Sequence, residues 1–442
     1  MDLSLVIPCY NESPHLRASV AALREVLEAT RYDYEIVFVD DGSQDGTREL
    51  LRELCTETPR CRYIFHERNR GRGGAVKTGF AATTGRVTGF LDIDLEVGAL
   101  YIPPLVNLID QHGMDVATGH RHYLLRQTLA LHRVVLSWVY RLMLNLLVVG
   151  WSVKDSETGC KFFRRETAGD IVLGSENDGW FWDTEVMARA VLADLRIHEM
   201  PVLFLRRWDK QSTVRLTKDI TDYLYALHRF RARVGLSLLN KSPIYWNAAA
   251  YDLLMSLLFG RPHEQTYADV ARQIPPSARV VDLCCGTGRL FRHHLRDRPC
   301  QYLGLDFNGH FVLKARRAGV PTRFFNVLSD AIPEAEYVVM VSSFYHFRDR
   351  AGEVIEKMKA AATRAVIISE PVHNLSRHPS LMGRVAARLT NPGIGEYRER
   401  FNLAELQALA STHGATEFLH RDGDRNAIAV FRRDGAHSRV AA

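Results

Sequence analysis

The 442-residue chain has no Cys-x-x-Cys pair. Its seven cysteines, Cys9, Cys55, Cys61, Cys160, Cys284, Cys285 and Cys300, are scattered and odd in number. That pattern argues against a structural zinc site or a disulfide framework and for reduced thiols. Long apolar runs are also missing. The most membrane-like stretch, Leu129 to Trp151, is interrupted by Arg133, Arg141 and Asn145. It falls short of the roughly 18 unbroken residues a spanning helix needs, so a core or interfacial helix is expected there. The opening "MDLSLVIPCYNE" has no basic region followed by a cleavable apolar segment, so it is not read as a signal peptide. There is no internal repeat and no low-complexity tract. With 46% hydrophobic and 24% charged residues, a largely disordered chain is excluded. The expectation is a cytoplasmic protein of two domains, since this length exceeds one ordinary core.

Charge is unevenly placed. Between Arg206 and Lys241 nine Lys/Arg stand against three Asp/Glu, a local surplus equal to the +6 of the whole chain. Such a segment is either a solvated helix face or a surface that meets anionic lipid or a phosphate-bearing substrate. The second reading would bring the protein to the inner face of a membrane as a peripheral contact.

Strand-like and helix-like patterns alternate up to about residue 120, which predicts a mainly parallel sheet with helices on both faces. Strands are expected at 3–9, 34–40, 62–66 and 87–93, with helices at 15–30, 45–55 and 74–83. Helices near 124–150 and 184–194, a strand at 201–205 and a helix from 218 to about 239 follow. "NKSPIY" (240–245) reads as a linker, giving domains at 1–239 and 240–435. Alternation then restarts, with strands at 280–283, 301–305, 322–325, 337–341 and 365–369. A last pair at 415–420 and 427–432 closes the sheet.

Four successive strand ends in the first half carry carboxylates, glycines or both: "VIPCYNE", "VDDGSQDGT", "NRGRGGAVKTGF" and "LDIDLEV". Open α/β sheets bind ligands at that edge. Asp92 and Asp94, two residues apart after an apolar strand, can share a hard cation with a diphosphate. These pieces, with "DSETGCKFFRRE" and "FWDTEV", follow the order and spacing of family 2 glycosyltransferases, and residues 1 to about 220 resemble that family. The nearest likeness is to its polyprenyl-phosphate (dolichol-phosphate) mannosyl- and glucosyltransferases. The resemblance implies a GT-A nucleotide-sugar-binding fold and inverting, metal-dependent transfer from a GDP-mannose or UDP-glucose type donor. By it, Pro8, Tyr10, Asn11, Glu12, Asp40, Asp41, Lys77 and Asp92 would bind the nucleotide sugar. Asp92 and Asp94 would hold Mg²⁺ or Mn²⁺. Arg121, Arg133, Ser137 and Arg207 would face the acceptor phosphate, with Arg133 and Ser137 on one helix face at i and i+4.

A phosphate monoester, with its second pKa near 6, is already nucleophilic at neutral pH and needs no base. A hydroxyl acceptor would need one, and Asp183 and Glu185 in "WFWDTEV" are the candidates, unless they simply cap and start a helix. The alternative function is therefore transfer to a hydroxyl of a protein, glycan or small molecule. Membrane-bound family members carry spanning helices after this region, and none is expected here.

The second half opens on "VVDLCCGTG". Asp282 precedes the glycines, and neither a third glycine nor a Gly-Lys-Ser/Thr run follows, so a dinucleotide fingerprint and a Walker A loop are both excluded. Asp306 ends the next strand, where a carboxylate can accept from two ribose hydroxyls. "FFNVLSDAIP" and "YVVMVSSFYHF" supply further strand ends. Residues 245–433 resemble a class I S-adenosylmethionine-dependent methyltransferase, a Rossmann-like fold. By that resemblance Asp282, Cys284, Gly286, Gly288, Asp306 and Asn326 would contact S-adenosyl-L-methionine, with Asn326 standing where the family has an acid. "WNAAAYD" (246–252) resembles the family's opening helix. His346 is a candidate base for O-methylation, or simply a positional histidine. No Asn-Pro-Pro-Tyr motif and no basic, aromatic-interleaved surface occur in this half, so nucleic acid is not an expected partner. The whole reads as a bifunctional enzyme. The remaining alternative is that one half is a non-catalytic module.

Overall fold

Seven strands of the first half build one sheet in a computed structural model of the chain. They are β1 (Leu3–Cys9), β2 (Tyr34–Asp40), β3 (Cys61–Phe65), β4 (Val87–Leu91), β5 (Val116–Tyr123), β6 (Cys160–Arg164) and β7 (Ile197–Phe204). The structure describes residues 1–123, 153–207, 216–234, 236, 242, 245, 251–253, 264–373, 400–420 and 425–433. The helix expected near 124–150, with Arg133 and Ser137, lies outside them. So do residues 208–215, most of the expected linker and residues 246–250. The chain divides into two compact units, Met1–Phe230 and Arg231–Ala442, each described here by itself.

The first sheet runs β3-β2-β1-β4-β6-β5-β7. β3, β2, β1 and β4 are parallel, and β6 runs antiparallel between β4 and β5. β1 and β2 are apolar without alternation because both of their faces are covered. Helices Leu16–Glu28, Thr47–Glu57 and Ile102–Asp110 pack on one face, and Arg72–Ala82, Arg165–Leu173 and Trp182–Leu192 on the other. The chain leaves β1 toward β2 and β3, then crosses back to β4 on the other side. The carboxyl ends of β1 and β4 therefore splay apart, and a crevice opens at that switch point.

Two strands depart from the sequence expectation. β5 ("VATGHRHY") and β6 ("CKFFR") read as polar or mixed, and neither was expected. Both are strands because β6 sits inside the sheet, with Phe162 and Phe163 buried on opposite faces. β7 begins at Ile197 rather than 201, pairing along the whole of β5. The basic helix runs Leu216–Arg233. Among the described residues, no helix is long and apolar enough to cross a membrane.

The second unit holds β8 (Arg279–Leu283), β9 (Gln301–Asp306), β10 (Thr322–Phe324), β11 (Ala335–Val341), β12 (Ala362–Pro371), β13 (Glu417–Leu419) and β14 (Asn426–Arg432). Their order is β10-β9-β8-β11-β12-β14-β13. Only β14 opposes its neighbours, β12 and β13. Its switch point lies between β8 and β11, the strands that end in the glycine loop and in "SSFYHF".

Candidate functional site

A cavity of about 580 Å³ occupies the switch-point crevice of the first unit. Pro8 and Tyr10 from the end of β1, Asp92 and Asp94 after β4, and Arg72 from the third glycine-rich turn line it. Asp219, Asp222 and Tyr223 of the helix Leu216–Arg233 close one side. The sequence had not placed that helix at the site. Tyr223 anchors it there, donating to Thr184 Oγ1 at 2.8 Å and crossing Phe181 edge-on at 5.1 Å between ring centres.

The floor is a chain of alternating charges. Lys161, fully buried on β6, lies 2.6 Å from Asp183 Oδ1 and also donates to the Thr158 carbonyl. Arg72 lies 3.2 Å from Asp183 Oδ2 and 3.1 Å from Asp92 Oδ2, its guanidinium between the rings of Phe90 and Trp180. Arg72 Nε has no hydrogen-bond partner among the described residues. Burial pushes the Asp92 carboxyl up to about 6; the negative charges of Asp94 and Asp183 add to this, and Arg72 and Lys161 oppose it. Two carboxylates that crowd each other's charge, at a strand end facing a cavity, fit a hard divalent cation.

Gly159 sets how close Asp92 can come. Asp92 N–H donates to the Gly159 carbonyl at 2.9 Å, and a Cβ at Gly159 would overlap Asp92 Oδ2. Gly159→Ala is therefore expected to displace that carboxylate. It should lower nucleotide-sugar turnover roughly a hundredfold, the scale of an ångström-level misplacement, with an unchanged circular dichroism spectrum.

Several residues expected at the site are committed elsewhere. Asp183 is 1% exposed with both oxygens held by cations, so it is not poised as a general base. Lys77 ties its helix to the Ser175 carbonyl and to Asp178 rather than entering the cavity. Arg121 makes a two-pronged pair with Asp155 at 2.7 and 2.8 Å, so its charge is already met. Asp41 lines the cavity, but its carboxylate accepts from the backbone of Arg70 and Gly71 and contacts His66 Nδ1; it fixes the glycine-rich turn. Asn11 exchanges hydrogen bonds with Ser43 and Gln44. Glu12 does line the cavity, with its backbone N–H held by Thr47. Arg207 N–H donates to Glu96, and its guanidinium contacts His15. Asp40 is fully buried. Its Oδ2 accepts from Gly42, Ser43 and Arg48, while Oδ1 has no hydrogen-bond partner among the described residues. Arg72, Lys161 and Gly159 were missed, because their partners lie far away in sequence.

In the second unit the glycine loop follows β8. Gly288 (φ +73°) is forced, since a Cβ there would press on Val320. Gly286 (φ +58°) faces open space, and its N–H donates to Asp306 Oδ2 at 2.8 Å. That leaves a bare backbone edge a ligand can lie against. Asp282 is buried and accepts from the Tyr302 hydroxyl at 2.7 Å. Burial pushes Asp282 up to about 7, with the charge of Asp306 adding and the Tyr302 hydrogen bond opposing. Burial likewise pushes the Cys284 thiol up. Asn326 spends its side-chain oxygen on Leu328 N–H in a local turn, and the His346 ring lies tilted against Tyr345. Among the described residues no group of three or more His, Cys, Asp or Glu is arranged to hold a metal ion.

Asp282 gives a pH prediction. Its folded pKa exceeds its unfolded one, so the folded state binds the extra proton. Its contribution is fully present below about pH 4 and is lost as pH rises toward 7, by up to about 4 kcal/mol. Asp282→Asn should therefore melt several degrees above wild type at pH 8 and level with it near pH 4, read by thermal denaturation.

The first unit is a GT-A-like α/β fold with an acid pair at its switch point. Residues 4–172 match the model of glycosyl transferase family 2. The glycosyltransferase AglD of Haloferax volcanii is 31% identical over 223 residues, half of this chain and 35% of that protein. The dolichyl-phosphate beta-glucosyltransferase of Dictyostelium discoideum is 27% identical over 260 residues, 53% of this chain and 76% of that one. The human dolichyl-phosphate beta-glucosyltransferase is 28% identical, and the chain spans 66% of its length. The chain thus spans about a third of the Haloferax protein and two thirds to three quarters of the other two. Among solved structures, glucosyl-3-phosphoglycerate synthase of Mycobacterium tuberculosis, in complex with Mn²⁺, UDP-glucose and phosphoglyceric acid, is 20% identical. It covers 52% of this chain and 79% of its own, with a TM-score of 0.41.

Proposed function

We propose that the first unit transfers a hexosyl group from a nucleoside-diphosphate sugar to a polyprenyl-phosphate-type acceptor. The observation that carries this reading is the switch-point cavity in which Asp92, Asp94 and Arg72 meet. Asp92 and Asp94 would hold a divalent cation, which when bound offsets charge on the diphosphate. Arg72 brings a buried positive charge, and its unpartnered Nε–H suits a diphosphate oxygen. A phosphate oxygen of the acceptor attacks the anomeric carbon, and the nucleoside diphosphate departs with the bonding electrons. Asp183, clamped by Arg72 and Lys161, is not free to act as the base a hydroxyl acceptor would require, and Glu185 is likewise held, accepting from the Glu176 and Asn177 N–H groups and from Arg189.

For the second unit we propose methyl transfer from S-adenosyl-L-methionine. The strand order, with β14 alone reversed next to β12, supports this, as does the open backbone at Gly286 beside Asp306. Asp282 and Asp306 would receive the polar ends of the cofactor. Mass spectrometry of lipid extracts from cells with and without the protein tests both readings. A hexosyl polyprenyl phosphate, with a methylated companion, is expected only where the protein is present. Identical lipid profiles would remove the lipid acceptor.

A further inference from the structure

Glu370 is the penultimate residue of β12 in the second unit and is fully buried. Its Oε2 accepts from Phe344 N–H at 3.0 Å and the carboxylate also draws on the Tyr345 backbone N–H, while its Oε1 has no further hydrogen-bond partner among the described residues. The buried Arg400 acts on Glu370 with its positive charge. Its guanidinium lies 3.5 Å from the ring centre of Tyr345, and its Nε likewise has no hydrogen-bond partner there. Tyr345 in turn is hydrogen-bonded to Tyr245. Cys284 of the glycine loop senses the charge of Glu370, so this cluster stands at the same sheet edge as the loop. A buried polar atom left without a partner costs about 1–3 kcal/mol, and two in one cluster are not expected without an occupant.

The pair narrows what that occupant can be. A carboxylate or phosphate would meet the charge of Glu370, and an ammonium would meet that of Arg400. A hydroxyl both donates and accepts. It can donate to an ionised Glu370 while accepting from Arg400, or accept from both when Glu370 is protonated. Burial holds Glu370 up to about 8, against the opposing charges of Arg400 and Arg425, so both states are accessible near neutrality.

We propose that Glu370 and Arg400 form a hydroxyl-recognising site, and that the group the second unit modifies is a hydroxyl. The chemistry rests on the methyl-transfer reading above, whereas the hydrogen-bond pattern does not. In that step the substrate O–H bond breaks and its proton passes to Glu370 Oε1. The oxygen forms an O–CH₃ bond as the sulfonium S–CH₃ bond breaks, and that electron pair stays on sulfur, leaving a neutral thioether. A glycosyl hydroxyl is the kind of group the first unit's reaction would supply.

The test is ligand-observed NMR on the full chain with methyl β-D-glucopyranoside, phenol, the fully O-methylated glucoside and acetamide. One of the two hydroxyl probes should bind, which also tells a sugar from a phenol, and the O-methylated glucoside should not. Glu370→Gln and Arg400→Lys should each weaken binding roughly tenfold, with S-adenosylhomocysteine affinity, measured by calorimetry, unchanged. Equal binding of the O-methylated probe, binding of acetamide alone, no binding of any probe, or variants that bind as wild type would each overturn the proposal. Absence of S-adenosylhomocysteine binding to the wild type, with hydroxyl binding intact, would remove the methyl-transfer reading and leave the site. A ¹³C-methyl label recovered on nitrogen or carbon rather than oxygen would remove the site's catalytic role alone.

Discussion

Lys161→Met should cost the first unit about 3–5 kcal/mol, the penalty of stranding a buried carboxylate. Lys161 and Asp183 are both essentially excluded from solvent and 2.6 Å apart. Burial alone pushes the Lys161 ammonium toward its neutral form, and the charge of Asp183 is the main opposing influence. With the ammonium gone, Asp183 keeps, among the described residues, the Arg72 guanidinium that it shares with Asp92. The double variant Lys161→Met/Asp183→Asn should lose less than the two single losses combined, because it strands neither charge. Urea denaturation of the three variants measures this. If Lys161→Met melts with wild type, the charge chain is not what organises the cavity floor.

The second large effect separates activity from stability. Asp92→Asn should lower sugar transfer roughly a hundred- to a thousandfold, the scale of removing one preorganised charge from a transfer site. The melting temperature should stay level or rise. Burial and the neighbouring charges of Asp94 and Asp183 already disfavour the ionised carboxylate, so the amide relieves a strained charge. Arg72 keeps Asp183 in the variant. A structural role for Asp92 predicts the reverse, with stability and activity falling together. Steady-state kinetics beside a thermal melt distinguishes the two.

The legible parts of this fold are those whose physics is local. β1, β2, β8 and β9 announce themselves as apolar runs ending in acids or glycines, because parallel central strands are buried on both faces. Asp92 and Asp94 could be placed because a strand end is a short-range feature. β6 could not. Lys161, its second residue, reads as solvent-facing until Asp183, on a helix in the following segment, is seen to neutralise it. The same long-range pairing explains why Lys77 and Arg121 looked like ligand contacts. Asp178 lies about a hundred residues beyond Lys77, and Asp155 lies 34 beyond Arg121. Glu370 and Arg400 were passed over for a related reason. An unsatisfied hydrogen bond is a property of a packed interior, and no sequence pattern marks it.

The most direct test of the central claim follows a labelled sugar. The full chain is incubated with Mn²⁺, a nucleoside-diphosphate hexose carrying label in the sugar, and a polyprenyl phosphate, and the organic phase is counted. The account predicts label in an acid-labile glycolipid of inverted anomeric configuration, absent when the acceptor phosphate is esterified and nearly absent with Asp92→Asn. Label that never leaves the aqueous phase with any donor, or that passes equally well to the esterified acceptor, would contradict it.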